Sequence, residues 1–290
     1  MIESKEKTQP GLVDLHKDVE KHYEMLDSYY FAYKEDDLEN CMQQKTWPTT
    51  IEVALGLSKE QVEQQEENFK AKLEQEQNQF YKDLLDFDKQ FQHIITFNSF
   101  AQTSEYMSKA YQLNKCLEDA EDKVEQFKTR ENLFNFKEVT EYPKLDELQQ
   151  AFKPFHELID TANQVKTIIM VEYQRNPLAN QIYEDMEQNI NSWHQKCFQL
   201  AKLLYEDHEE ASAVATDVRR HIEQFKENMP LIKCITLPAM GDEDWKLIKE
   251  TVGNDTMERE QITVDKFIEF NLHEHLPVIE EIAASAQKKY

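Results

Sequence analysis

The chain has 290 residues, with 57 acidic against 33 basic side chains, a formal charge of -24 and only 4 glycines. The acid is spread along the whole length, which argues against a nucleic-acid partner, since phosphate binding needs a basic stripe. Glycine normally makes up about 7% of a chain, and with so few residues suited to positive φ the tight hairpins of a β fold are not available, so an all-α protein is predicted.

Hydrophobic residues make up 40% of the chain, with 16 Phe and 12 Tyr, enough for a sizeable core. No apolar run approaches the roughly 20 residues needed to cross a bilayer, and the start, MIESKEKTQP, lacks the apolar centre of a signal peptide. A soluble, intracellular protein without membrane contact is the expectation. Cys41, Cys116, Cys197 and Cys234 stand singly, without a CxxC pair, and read as free thiols packed in the interior.

In chain order, Leu12, Leu15, Val19, Tyr23, Leu26 and Tyr30 recur at three and four residues and predict a helix from Leu12 to about Tyr33. Trp47-Pro48 predicts a break, because the residue before a proline is pushed out of the α region. From Ser58 the longest pattern begins, with Val62, Phe69, Leu73, Phe80, Leu84, Phe87, Phe91 and Ile94 in one stripe, a rod of roughly 60 Å at 1.5 Å per residue. A break is expected over Asn98 to Thr103. Then Tyr106, Ala110, Leu113, Leu117, Ala120, Val124, Phe127 and Phe134 form a second stripe with the heptad spacing of coiled-coil helices packed side by side. The two stripes are predicted to pair as an antiparallel hairpin.

Further helices are predicted over 144–173, 178–207 and 209–228, with Pro154 ending or kinking the first near Lys153 and Pro177 in the first turn of the second. Pro230 and Pro238 bracket an apolar run, predicting an extended connector from Leu231 to Leu237, after which Trp245 sits one turn into a short helix begun at Gly241 and Asp242. The expectation is that Trp245 packs into the core over that connector. A last helix is predicted from His273 to Tyr290 with Pro277 in its first turn. The whole reads as an elongated array of antiparallel helices divided into 1–57, a helical segment and break, 58–140, a long hairpin, and 141–290, a helical bundle.

No catalytic chemistry is legible. The glycines at 11, 56, 241 and 253 lie far apart, so no GxxxxGK[ST] phosphate loop exists and no cofactor is expected. His273 and His275 flank Glu274, but residues two apart point to different sides of a helix, and no HExxH spacing occurs.

The stretch FKENMPLIKCITLPAMGDEDW, residues 225 to 245, carries Phe225, Lys226, Pro230, Leu231, Ile232, Pro238, Met240 and Trp245 in an order that resembles the tail-to-linker part of dynein heavy chains. Around it lie Trp47-Pro48 with Ile51, Leu133-Phe134 followed by Thr140, Tyr142, Pro143 and Leu145, and the closing Ala286-x-Lys288-x-Tyr290. The resemblance spans roughly residue 45 to the end, and the Leu133 to Leu145 segment is more similar to axonemal than to cytoplasmic members. It implies a helical arm that in this family bends across a ring of ATPase modules, preceded by a tail that carries accessory chains. The segment itself would then hold neither the ring nor the microtubule-binding tip. Two places depart from the family: arginine and Arg-His around the Trp are replaced by Gly241, Glu243 and Asp244, and a glutamate in the closing motif by Lys289.

Two functions are compatible with this resemblance. One is a non-catalytic mechanical segment of an axonemal motor, in the cytoskeleton of the cilium, contacting other dynein or axonemal chains. The other is a stand-alone dynein-derived scaffold that binds axonemal proteins through its helical faces. The start at Met1 and the reversed charges favour the scaffold, and the unbroken run of family motifs favours the motor segment.

Overall fold

Helix forms wherever the three-and-four spacing of apolar residues persists, and in this computed structural model it takes up most of the chain. The structure describes residues 2–254 and 256–289, with side chains from residue 10 onward. Among the described residues there is no β-strand, and the α-helices are α1 (Ile2–Ser28), α2 (Glu35–Ile95), α3 (Thr103–Leu133), α4 (Pro143–Gln164), α5 (Tyr183–Leu204), α6 (Glu209–Lys226), α7 (Met229–Ile235), α8 (Asp242–Val252), α9 (Asp265–Glu269) and α10 (Leu276–Lys289). The fold is all-α. The chain divides into two units, Met1–Phe80 with Phe127–Val139, and Tyr81–Gln126 with Thr140–Tyr290.

In the first unit, α1 ends at Tyr30, which takes the left-handed conformation with φ 56. There the Phe31 N–H bonds Leu26 O at 3.1 Å and the Tyr30 N–H bonds Asp27 O at 3.0 Å, the two bonds of a Schellman stop. The break expected at Trp47-Pro48 is not found; α2 runs through Pro48. A proline inside a helix removes one N–H bond and crowds one carbonyl, a local preference that the cooperative helix on both sides overrides here. The end of α3 pairs with α2: the Phe80 and Phe127 rings meet edge-on at 5.6 Å, and Gln77 Nε2 donates to Glu131 Oε1 at 2.6 Å. Glu131 is buried at a seam position, and Arg130 beside it forms an ion pair with Glu76.

In the second unit, Thr103, Tyr106, Ala110, Leu113, Leu117 and Ala120 of α3 are all buried, the expected heptad face. The turn after α2 is fastened by Thr96 Oγ1 and Tyr106 OH, 2.9 Å apart, with the Phe97 ring 5.1 Å from that of Tyr106. The end of α2 and the start of α3 thus meet across a turn at 96–102, where Lys109 Nζ also lies 3.1 Å from His93 Nε2. Helix α4 lies on α2 through Phe91, whose ring meets those of Phe152 at 6.0 Å and Phe155 at 5.6 Å. The helix end expected near Lys153 is not found; α4 continues through Pro154. The carbonyl that Pro154 leaves without its helical donor belongs to exposed Gln150, where water can serve it, while buried Phe152 and Phe155 fix the helix on either side.

Beyond Gln164 the chain widens into a π-helix over Val165–Tyr173, with Val165, Ile169 and Tyr173 buried at steps of four. Simple apolar periodicity gives no warning of it. Helices α5 and α6 pack closely, because Ala211, Ser212 and Ala215 are small, and Ser212 Oγ donates to Ala201 O at 2.7 Å. Pro177 precedes a short 3-10 turn, Leu178–Asn180, rather than entering α5 directly.

The extended connector predicted over Leu231 to Leu237 is instead mostly helical, as α7. Pro230 sits in its first turn, where a missing N–H costs nothing and a fixed φ favours the helix. Leu231, Ile232 and Ile235 then fall on one buried face. Pro238 does separate α7 from α8, within a turn closed by the Met240 N–H on Leu237 O at 3.0 Å. Helix α10 packs against both α7 and α8.

Candidate functional site

Among the described residues no set of three or more His, Cys, Asp or Glu side chains converges in a way that could hold a metal ion. His273, expected to start the last helix, lies instead in a 3-10 turn just before α10, and its Nε2 is 2.9 Å from Oδ1 of Asn228, the residue preceding α7. Among the described residues no helix is long and apolar enough to cross a membrane. The four thiols are free, Cys197 and Cys234 buried and the other two half-buried. Burial pushes the Cys197 thiol up to about 12, and Cys234 shifts the same way.

The feature that stands out lies in the first unit. A groove of ≈ 1020 Å³ is lined by Leu12 and Val13 of α1, by the face of α2 from Trp47 to Phe69, and by Leu133, Phe134 and Asn135 at the end of α3. The local chemistry that builds it is simple. Asn135 adopts φ 54 and closes α3 with the Phe136 N–H on Glu131 O at 3.0 Å, so the chain turns there and leaves Leu133 and Phe134 beside α2. The Phe134 ring stacks on that of Phe69 at 6.5 Å. The lining is mostly apolar yet open: Val62 is 53% exposed, Phe69 51% and Leu133 72%. Exposed apolar residues that share one concave face mark a binding surface more often than scattered ones do.

The sequence-selected residues fall into two groups. Trp47 and Pro48 line the groove together with Ile51, Leu133 and Phe134, segments that are far apart in the chain. Tyr142 and Pro143 start α4, with the Tyr142 ring 5.3 Å from that of Tyr81. Phe225, Leu231, Met240 and Trp245 are buried in the second unit, where Phe225 meets the Tyr173 ring at 6.0 Å. Pro230 borders a smaller hollow with Tyr183, Lys233 and Glu280. Tyr290 lies outside the described residues. Sequence reading assigned Val62 and Phe69 to a buried seam and did not place Leu12 or Val13 beside them. The available signal was the apolar spacing of α2, which continues upstream of any residue α3 has left to pair with it.

The two departures from the family pattern prove to be neighbours. Lys289 Nζ lies 3.5 Å from Asp244 Oδ1, so the reversed charges face each other within this chain.

Against known families, residues 145–290 match the model described as "Dynein heavy chain, N-terminal region 2". Dynein axonemal heavy chain 1 of Mus musculus is 24% identical over 268 residues, 92% of this chain and 6% of that protein. Dynein axonemal heavy chain 12 of Homo sapiens is 25% identical over 279 residues, 90% of this chain and 8% of that protein. Dynein axonemal heavy chain 2 of Mus musculus reaches 30% over a shorter stretch of 127 residues, 38% of this chain. The chain thus spans under a tenth of the length of these relatives.

Proposed function

This chain belongs to the dynein heavy chain family, through its N-terminal region, and from that premise we propose that it is a non-catalytic mechanical segment of an axonemal motor. The observation that carries the reading is the family match over 145–290, which falls on the packed helices from α4 to α10. A load-transmitting element needs helices locked together by buried side chains; α4, α5 and α6 pack on one another, with Trp193 of α5 bonded to Gln164 of α4 and Ser212 of α6 to Ala201 of α5. We assign 141–290 to the start of the linker arm, 58–140 to the hairpin before it, and 1–57 to the tail side. Its place would be the ciliary axoneme, its partners other dynein or axonemal chains, and its contribution microtubule-based motility without nucleotide chemistry of its own.

The groove between Trp47 and Phe134 favours a second reading in one respect: an open apolar face is what an assembly segment or scaffold offers to a partner. The test that separates the two uses an antibody to residues in α5 on a denaturing gel of isolated axonemes. A band at the mass of a full motor heavy chain supports the motor segment. A band at the mass of 290 residues supports the scaffold, and absence from axonemes overturns both.

A further inference from the structure

We propose that the π-helix between α4 and α5, Val165–Tyr173, is a yielding joint: a segment held in its wide winding by side-chain clamps, which converts to α-helix when they release. This rests on the reading of the chain as a mechanical segment and names the place where that segment gives.

The winding is costly in itself. A π-helix mostly occurs as a single turn inside an α-helix, whereas here it runs for 9 residues. Val165, Thr167, Ile168, Ile169 and Val171 within it are β-branched and lose rotamer freedom against the preceding turn of a helix. By contrast, α5 has one β-branched residue, Ile190, among its 22, and α4 has Ile159 and Thr161 among its 22. Local sequence thus supports regular helix least at this point.

What holds the segment comes largely from outside it. Gln181 Nε2 donates to Glu172 O and to Asn176 O, both at 3.1 Å, so one side chain beyond the π-helix serves carbonyls at its end. Asn189 Nδ2 donates to Tyr173 OH at 3.0 Å, and Lys166 Nζ reaches out to Ala101 O at 3.0 Å. The clamp at Gln181 is imperfect, because its Oε1 is buried with no hydrogen-bond partner among the described residues. An unpaired buried polar atom raises the energy of the state that contains it, and such costs collect where a second state exists.

The side chains permit that second state. Val165, Ile169 and Tyr173 are buried at steps of four, which lies between the 3.6-residue turn of an α-helix and the wider π turn, so the same three face inward in either winding. Thr167, Val171 and Glu172 are exposed and offer no packing against the change. Passing from i+5 to i+4 pairing turns the following chain by about 100° and advances it ~1.5 Å for each residue taken up. The stretch from Gln174 to Ile182, with its 3-10 turn Leu178–Asn180, absorbs this displacement, while the bond from Trp193 Nε1 to Gln164 Oε1 at 2.8 Å keeps α4 and α5 together.

Native-state hydrogen exchange of the full chain, read by mass spectrometry on peptic peptides, tests the joint directly. Amides over 166–174 are expected to exchange at least ~10-fold faster than those in the middle of α4 and α5. Gln181→Met keeps the volume but removes both clamp bonds, and should speed exchange over 172–176 a further ~5-fold, what one typical hydrogen bond is worth. Deleting exposed Thr167 takes one residue out of the wide winding; the melt should hold or rise, and exchange over the segment should slow toward that of α4. Deleting exposed Gln195 from α5 should instead lower the melt sharply, because every buried side chain beyond it loses its face. Exchange over 166–174 as slow as in α4, no response to Gln181→Met, or a Thr167 deletion as damaging as that of Gln195 each overturns the proposal. A slow segment in a protein that is present in axonemes leaves the mechanical reading standing; a fast joint in a protein absent from axonemes leaves the joint standing without that role.

Discussion

Asp244 serves two partners at once: its Oδ2 accepts the Gly241 N–H at 3.1 Å, while Lys289 Nζ stands 3.5 Å from its Oδ1. The first contact satisfies one of the free N–H groups at the start of α8, and a carboxylate there also suits the positive end of the helix dipole. The second links α8 to the last turn of α10. The two are unequal, because the Lys289 side chain is 65% exposed and its ion pair is screened by water, whereas Asp244 is buried.

Asp244→Ala should therefore cost about 1.5–3 kcal/mol, the range for a hydrogen bond to a charged group, and Lys289→Ala below about 0.5 kcal/mol. Urea unfolding of both variants reads the difference. Equal losses would mean that the ion pair, not the cap, holds α8.

Trp245 is only 5% exposed, so Trp245→Ala should cost about 3–5 kcal/mol, the range for deleting a core aromatic. Its Nε1 is buried without a hydrogen-bond partner, unlike that of Trp193, which donates to Gln164 Oε1 at 2.8 Å. Trp245→Phe removes that unpaired donor along with some volume, and should lose less than half as much as the alanine variant. A phenylalanine variant as unstable as the alanine one would point to an unseen partner for the indole.

The two ends of the α2/α3 stripes should respond differently to the same charge. Leu113→Asp places a carboxylate at a fully buried seam position and should cost several kcal/mol, enough to unfold the hairpin region. Val62→Asp on the groove should stay within about 0.5 kcal/mol. Thermal melts compare them directly, and a large loss at Val62 would show that the groove is closed in solution.

Thiol reactivity provides a chemical map. Cys41 and Cys116 are half-buried and should react with a thiol reagent at pH 8 in the native protein. Cys197 and Cys234 are buried, with their thiols pushed up by desolvation, so both remain protonated and shielded until the chain unfolds. Mass spectrometry after brief labelling checks the order; early labelling of Cys197 would mean that the α5 region opens.

Helical class could be read from the sequence because it rests on local, periodic causes: scarce glycine, and apolar residues at three-and-four spacing such as those from Leu73 to Ile94. Family resemblance was legible for a related reason, since it lies in short runs such as Phe225 to Trp245. The helix ends expected at Pro48 and Pro154 and the extended connector expected after Pro230 are absent because a local rule gives only a preference: the long helix on both sides carries Pro48, and burial of Phe155 and Ile232 settled the other two. The open groove was not readable, because a buried seam and an uncovered one have the same spacing; which it is depends on where α3 stops. Nor did anything local join Asp244 to Lys289. Their pairing, like the meeting of Trp47 with Phe134 across one groove, exists only once the helices have folded back and brought distant segments together.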